Sequence, residues 1–255
     1  MSNNKKSPGA SAGFYVLILT VGILFVGLFV KPGINFLLVL VLIFLFMLVL
    51  GNHITGRPLG ILINEQNVMS LSRFQTVLWT IIILSGFLVI ALERLGDSAV
   101  EYPLEIKIDW QLWALLGIST TSLVGTPLIL STKKRKEPEN EDKLAEDLEK
   151  DFAAEGEKKE LVKKNREGII YGQESINQAK FSDMFQGDEL KNTSHFDLAK
   201  VQMFFFTIIA ALVYAVALFR LIAETRPVLI ESLPELSEGL VAILGISHAG
   251  YLGSK

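Results

Sequence analysis

An all-α, polytopic membrane protein of about six transmembrane helices, two of them in each copy of a tandem parallel hairpin repeat, is predicted by three observations. Half of the 255 residues are hydrophobic, and the mean hydropathy of +0.42 is that of a chain using lipid as part of its solvent. Apolar runs long enough to cross a bilayer recur along the chain. SLSRFQTVLWT at 70 to 80 aligns with DLAKVQMFFFT at 197 to 207, and LGIS at 116 to 119 returns at 244 to 247. The first pair of segments keeps Leu71/Leu198, Gln75/Gln202 and Thr80/Thr207, and matches Arg73/Lys200 and Trp79/Phe206 in kind.

Residues 1–13 are small and polar and are expected to form a disordered tail. Residues 14–50 hold two uncharged runs, Phe14 to Val30 and Ile34 to Leu50, separated by Lys31-Pro32-Gly33. Each would be about 26 Å long as a helix, so a transmembrane hairpin is expected. A signal peptide is disfavoured, because no small-x-small cleavage site follows and a second apolar run comes at once.

Repeat copy one spans 51–132. Gly51 to Met69 is turn-rich and reads as a loop; Ser70 is placed to cap the third span at 71–92, as Asp197 is for the fifth at Val201 to Ala223. An acidic connection carrying Pro103 leads to the fourth span at Trp110 to Leu130, which Pro127 should kink or end. A charged insert at 133–184 begins with Lys133-Lys134-Arg135-Lys136. Within it Leu144, Leu148 and Phe152 recur at every fourth position, giving a short amphipathic helix that could meet a protein partner through 140–166. Beyond Gly168 the mixed composition suggests packing under the membrane domain. Copy two, 185–255, supplies the fifth span and a sixth at Leu236 to Gly253.

Basic residues near span ends divide ten to five. Lys5, Lys6, Arg57, Arg73, Lys133, Lys134, Arg135, Lys136, Lys200 and Lys255 mark the cytoplasmic side, against Lys31, Arg94, Lys107, Arg220 and Arg226. Both termini and the insert are then expected inside.

Few residues carry chemistry. Without cysteine there is no disulfide, thiolate or Cys-based zinc site, and His53, His195 and His248 are too scattered for a three-His metal site. No metal, cofactor or catalytic residue is assigned. A net charge of −3 gives no basic face for nucleic acid. Gly117, Thr121 and Gly125, echoed by Gly245, Ala249 and Gly253, are small residues at four-residue spacing, expected to pack helices within the subunit or between copies in a homo-oligomer. Arg73, Gln75, Lys200 and Gln202 sit where two helices enter the membrane; they read as interfacial anchors or, more sharply, as a lipid or ligand contact between the copies. The sequence Gly245-Ile246-Ser247-His248-Ala249 has the outline of a serine-nucleophile turn. Copy one keeps Gly117-Ile118-Ser119 without a following histidine, so the shared segment reads as structural, with His248 a polar packing residue.

On SLSRFQTVLWT, DLAKVQMFFFT and the two LGIS segments, residues 51–253 resemble bacterial multi-pass inner-membrane proteins of no assigned activity. The resemblance implies a bacterial cytoplasmic membrane and transfers no substrate or catalytic residue. The expected function is a non-enzymatic anchor or interaction module in the lipid bilayer, the alternative an oligomeric channel or transporter lacking mid-membrane ionisable residues.

Overall fold

The computed structural model describes residues 8–134, 166–190, 192–193, 195–253 and 255. Among these, six α-helices carry nearly all of the regular structure: α1 (Pro8–Phe29), α2 (Ile34–Thr55), α3 (Leu71–Leu95), α4 (Trp110–Lys133), α5 (Leu198–Glu224) and α6 (Glu238–Gly253). A two-stranded antiparallel hairpin, β1 (Arg166–Glu167) and β2 (Ile170–Tyr171), and four 3-10 turns complete it. The fold is therefore helical.

Four helices, α2 to α5, are long and apolar enough to cross a membrane. The apolar part of α1, Gly13–Phe29, and the 16-residue α6 are shorter. Several boundaries differ from those read in the sequence. Helix α1 begins at Pro8, within the expected tail, because proline's missing N–H costs nothing in a first helical turn. Helix α2 runs on to Thr55, where Gly56 stops it in a left-handed conformation at φ 74°. The expected loop at 51–69 thus holds the end of a helix, a 3-10 turn at Pro58–Leu62 and a tight turn closed by the Ile63–Met69 bridge. Pro127 lies inside α4, which continues to Lys133. The amphipathic stretch at Leu144, Leu148 and Phe152 lies outside the described residues.

The chain divides into two compact units. The first comprises residues 8–61, 77–114 and 209–240. Its core joins Phe36, Val39 and Ile43 of α2 with Val89 and Ile90 of α3 and Leu218 and Ile222 of α5. Trp79 and Tyr214, both buried, meet edge to face at 5.9 Å. Two polar devices stitch its ends. Buried Asn35 donates to the Glu93 carboxylate at 2.8 Å. Arg94, also buried, donates from Nη1 to the carbonyls of Glu105 (2.9 Å) and Ile230 (3.3 Å), and from Nη2 to that of Tyr102 (3.2 Å). The α3–α4 and α5–α6 connections also pair as backbone, Lys107 N–H to Glu231 at 2.8 Å and Leu233 N–H to Lys107 at 3.0 Å.

The second unit comprises 62–76, 115–208 and 241–255. Ile63, Met69, Leu71, Ala179, Met184, Met203 and Tyr251 form its core, with Phe74, Phe185 and Phe204 packed on it. Asp183 orders the 3-10 turn Phe181–Phe185: one carboxylate oxygen accepts the amides of Lys180 (2.8 Å) and Met69 (3.3 Å).

Gly33, in the turn between α1 and α2, has φ +83°, and a Cβ there would lie 2.8 Å from Ala223 Cβ and 3.3 Å from its Cα. A Cβ on Gly117 would meet nothing within 4 Å among the described residues. Gly33→Ala should therefore destabilise the protein by about 1–3 kcal/mol through backbone strain and overpacking. Gly117→Ala should leave it unchanged or raise it by up to about 1 kcal/mol through helix propensity. Thermal unfolding in detergent measures both.

Candidate functional site: a buried polar seam ending in an ion cluster

The described polar chemistry of the second unit lies along one face of α4 and one of α6. Buried positions on α4 recur at Leu112, Leu115, Ser119, Ser122, Thr126 and Leu130, spacings of three and four that mark a single helical face. On α6 the buried set is Val241, Leu244, Ser247, His248 and Tyr251. Facing polar residues pair. Ser122 Oγ lies 2.6 Å from His248 Nδ1, and Thr126 Oγ1 donates to Tyr251 Oη at 3.3 Å. The Ser119 and Ser247 hydroxyls are buried with no side-chain partner among the described residues.

Beyond Tyr251 the seam becomes ionic. Lys255 Nζ stands 4.6 Å from the centre of the Tyr251 ring and donates to Asp188 Oδ2 at 2.5 Å. Lys200, from the first turn of α5, donates to Asp188 Oδ1 at 3.0 Å and to the Gln186 carbonyl. Lys133, the last residue of α4, donates to Glu189 Oε1 at 2.5 Å and to the main-chain oxygen of Lys255. The acids are held by backbone: Tyr171 N–H bonds the Asp188 carbonyl at 2.9 Å, and Leu190 N–H bonds that of Ile169 at 3.0 Å. Asn192 Oδ1 accepts the Glu189 amide at 2.9 Å.

Burial by itself would push the Asp188 carboxyl upward, but the ammonium groups of Lys255 and Lys200 outweigh it and hold the acid ionised below its ordinary range. Burial would likewise strip the Lys255 ammonium of its proton; Tyr251 and Asp188 reverse that and hold it above the usual lysine value.

The predicted site residues are only partly gathered here. Lys200 is central but buried, bound to Asp188 and Gln186. Its repeat counterpart Arg73 pairs instead with Glu65, in contact with solvent. Gln75 is fully buried and donates to Thr207, whereas Gln202 is exposed. The two charged members of the four thus stand in separate ion pairs, Arg73 with Glu65 and Lys200 with Asp188. Asp197 does cap its helix, accepting the amides of Ala199 (3.0 Å) and Lys200 (3.2 Å), while the Ser70 hydroxyl pairs with that of Ser72 at 2.9 Å.

The small-residue faces divide as well. A Cβ on Gly245 would touch Ile118 at 3.6 Å, and one on Gly125 would touch Leu252 at 3.6 Å. Among the described residues a Cβ on Gly117 or Gly253 would meet nothing within 4 Å, and Thr121 and Ala249 are exposed. Gly117, Thr121 and Gly253 are thus not packing residues within the subunit; the polar face of α4 turns inward in their place.

Sequence reasoning missed Ser122, Thr126, Lys133, Asp188, Glu189 and Lys255. The offset of 126 between Ser122 and His248, close to the repeat offset, was the available signal. A hydroxyl against an imidazole has the spacing of a nucleophile and base. Among the described residues no group of three or more His, Asp or Glu side chains could hold a metal. The arrangement works as a hydrogen-bonded register between two helices.

Because the folded-state value of Asp188 is depressed, its stabilising contribution is complete above about pH 4 and is lost as the pH falls through the lower folded value. Asp188→Asn should cost about 3–5 kcal/mol at neutral pH, since two buried ammonium groups lose their counter-charge. The gap between native and variant melting temperatures should close as the pH is lowered below 4; a gap independent of pH would contradict the assignment.

Comparison with protein-family models, with curated proteins and with solved structures gave no match.

Proposed function

We propose that the chain is a multi-pass protein of a bacterial cytoplasmic membrane, a non-enzymatic anchor that presents residues 135–165 to a cytoplasmic protein partner. The observation that carries this reading is the closed base of that segment. Helix α4 ends at Lys133, and the chain returns at β1 beside it. Ile169 N–H donates to the Lys133 carbonyl at 3.5 Å. Gly168, at φ +65°, passes so near the Lys133 and Lys134 carbonyls that a Cβ would collide with both. The Lys133–Glu189 ion pair braces the same place.

The flanking residues are therefore bonded to each other directly, and sequence inserted between two joined ends can serve a partner without altering what lies beneath it. Its composition supports the reading: 11 acids and 8 bases in 31 residues make a charge-rich sequence suited to meeting another molecule. The basic-residue asymmetry supports placing this segment and both termini in the cytoplasm. Six spans, with α1 and α6 crossing as well, and a duplicated hairpin fit that topology; α3 and α5 begin at Leu71 and Leu198, at the repeat offset of 127.

Replacing 135–165 by a Gly/Ser linker of about six residues should leave the melting temperature within about 2 °C of the parent. Co-purification of the native partner should be lost, and neither protein should conduct in liposomes. A large fall in melting temperature would make the segment part of the packed core, and conductance would favour a channel. Orientation is checked by cysteine accessibility: Asn140→Cys should label from the cytoplasmic face and Ser98→Cys from the opposite one.

A further inference from the structure

The second unit carries exposed apolar groups at the start of α5 that neither its core nor its ion cluster uses. Phe181 opens the 3-10 turn Phe181–Phe185, with its ring 5.6 Å from Phe185 and 6.2 Å from Phe204. Phe204 in turn meets Phe205 at 5.7 Å. Phe196 is tied to the same turn, because Gln186 pairs with it as a backbone bridge and Asp197 N–H donates to the Phe185 carbonyl at 2.9 Å. Phe181 is 53% exposed, Phe196 79%, Leu198 77% and Phe205 58%. Such a group of large apolar side chains facing water is unfavourable unless something covers it.

Continuity with α5 identifies the cover. Leu198, Phe205, Ile209, Leu212 and Val216 are all exposed and follow at steps of seven, four, three and four, a single stripe on a helix apolar enough to cross a membrane. A stripe of this kind on a spanning helix faces acyl chains. It covers 19 residues, whose 18 helical rises make about 27 Å, close to the thickness of the hydrocarbon layer. Leu198 is its first member, so Phe196 and the aromatic turn stand at the boundary of that layer. Lys180, exposed and next to Phe181, supplies the cationic head that accompanies aromatic anchors there.

We propose that Phe181, Phe196 and Leu198 form a lipid-contacting edge that seats the 180–198 segment in the headgroup–acyl boundary of the bilayer. The edge makes the non-spanning part of the second unit a peripheral membrane element: Phe181 and Phe196 lie outside every helix long enough to cross, and Leu198 is the first residue of α5. This inference rests on α5 spanning the membrane.

Because the chain contains no cysteine, spin labels can be placed singly at Phe181→Cys and Phe196→Cys, with Leu212→Cys as a lipid reference and the exposed Glu174→Cys as a water reference. The labelled proteins are reconstituted in phosphatidylcholine/phosphatidylglycerol vesicles, and collision with oxygen is compared with collision with a water-soluble nickel chelate. Labels at 181 and 196 should favour oxygen several-fold over the label at 174, approaching that at 212. Water-like labels at 181 and 196 beside a lipid-like 212 would overturn the edge and leave the spanning helix intact. Labels at 181 and 196 closed to both reagents would mean protein covers the patch, which also overturns it. A water-like 212 would overturn the spanning reading together with the edge.

Discussion

Asp188 is the constraint on which the second unit depends. Two lysines, exposed by only 3% and 7%, have their ammonium groups on its two carboxylate oxygens. An unpaired buried ammonium would cost several kcal/mol, so neither Lys200 nor Lys255 can occupy its position unless residues 186–190 are folded against them. Lys200 begins α5, Lys255 follows α6, and Lys133 on the adjacent Glu189 ends α4. Three helix ends are thereby fixed to one short segment. Buried ion pairs of this kind contribute little net stability against an apolar replacement; what they enforce is which ends meet.

The Ser122–His248 and Thr126–Tyr251 contacts act in the same way along α4 and α6. In an apolar setting a hydroxyl or imidazole left without a partner is costly. Sliding one helix past the other by a single residue would break both contacts at once. Dispersion between small residues has no such discrimination, since a glycine face tolerates many registers.

This explains what could be read from the sequence and what could not. Helices α2 to α5, long and apolar enough to cross a membrane, were legible because apolar runs of that length have few other fates. The tail was not, since Pro8 to Gly13 is apolar enough to extend a helix already formed but carries no periodic signal of its own. The small-residue spacing of Gly117, Thr121 and Gly125 was visible, yet spacing alone does not choose between opposite faces of a helix, and the hydroxyls at 119, 122 and 126 determined the choice. The paired positions of the proposed repeat diverged for a similar reason. Gln75 is buried against Thr207 while Gln202 is exposed, because each copy meets different surroundings. Asp188 and Glu189 were illegible: they lie in a charge-rich stretch where nothing local separates a buried acid from a solvated one.

Arg94 bears on the order in which the chain is assembled. Two of its carbonyl partners, Tyr102 and Glu105, lie within 11 residues, whereas the third, Ile230, is 136 residues away. A chain synthesised from its N-terminus makes the guanidinium and its nearby acceptors long before residue 230. The connection after α3 must wait, incompletely satisfied, until α5 and the segment behind it have been made. Closure of the first unit is therefore a late, non-local event, and a ribosome paused before residue 230 would hold an intermediate with this junction still open.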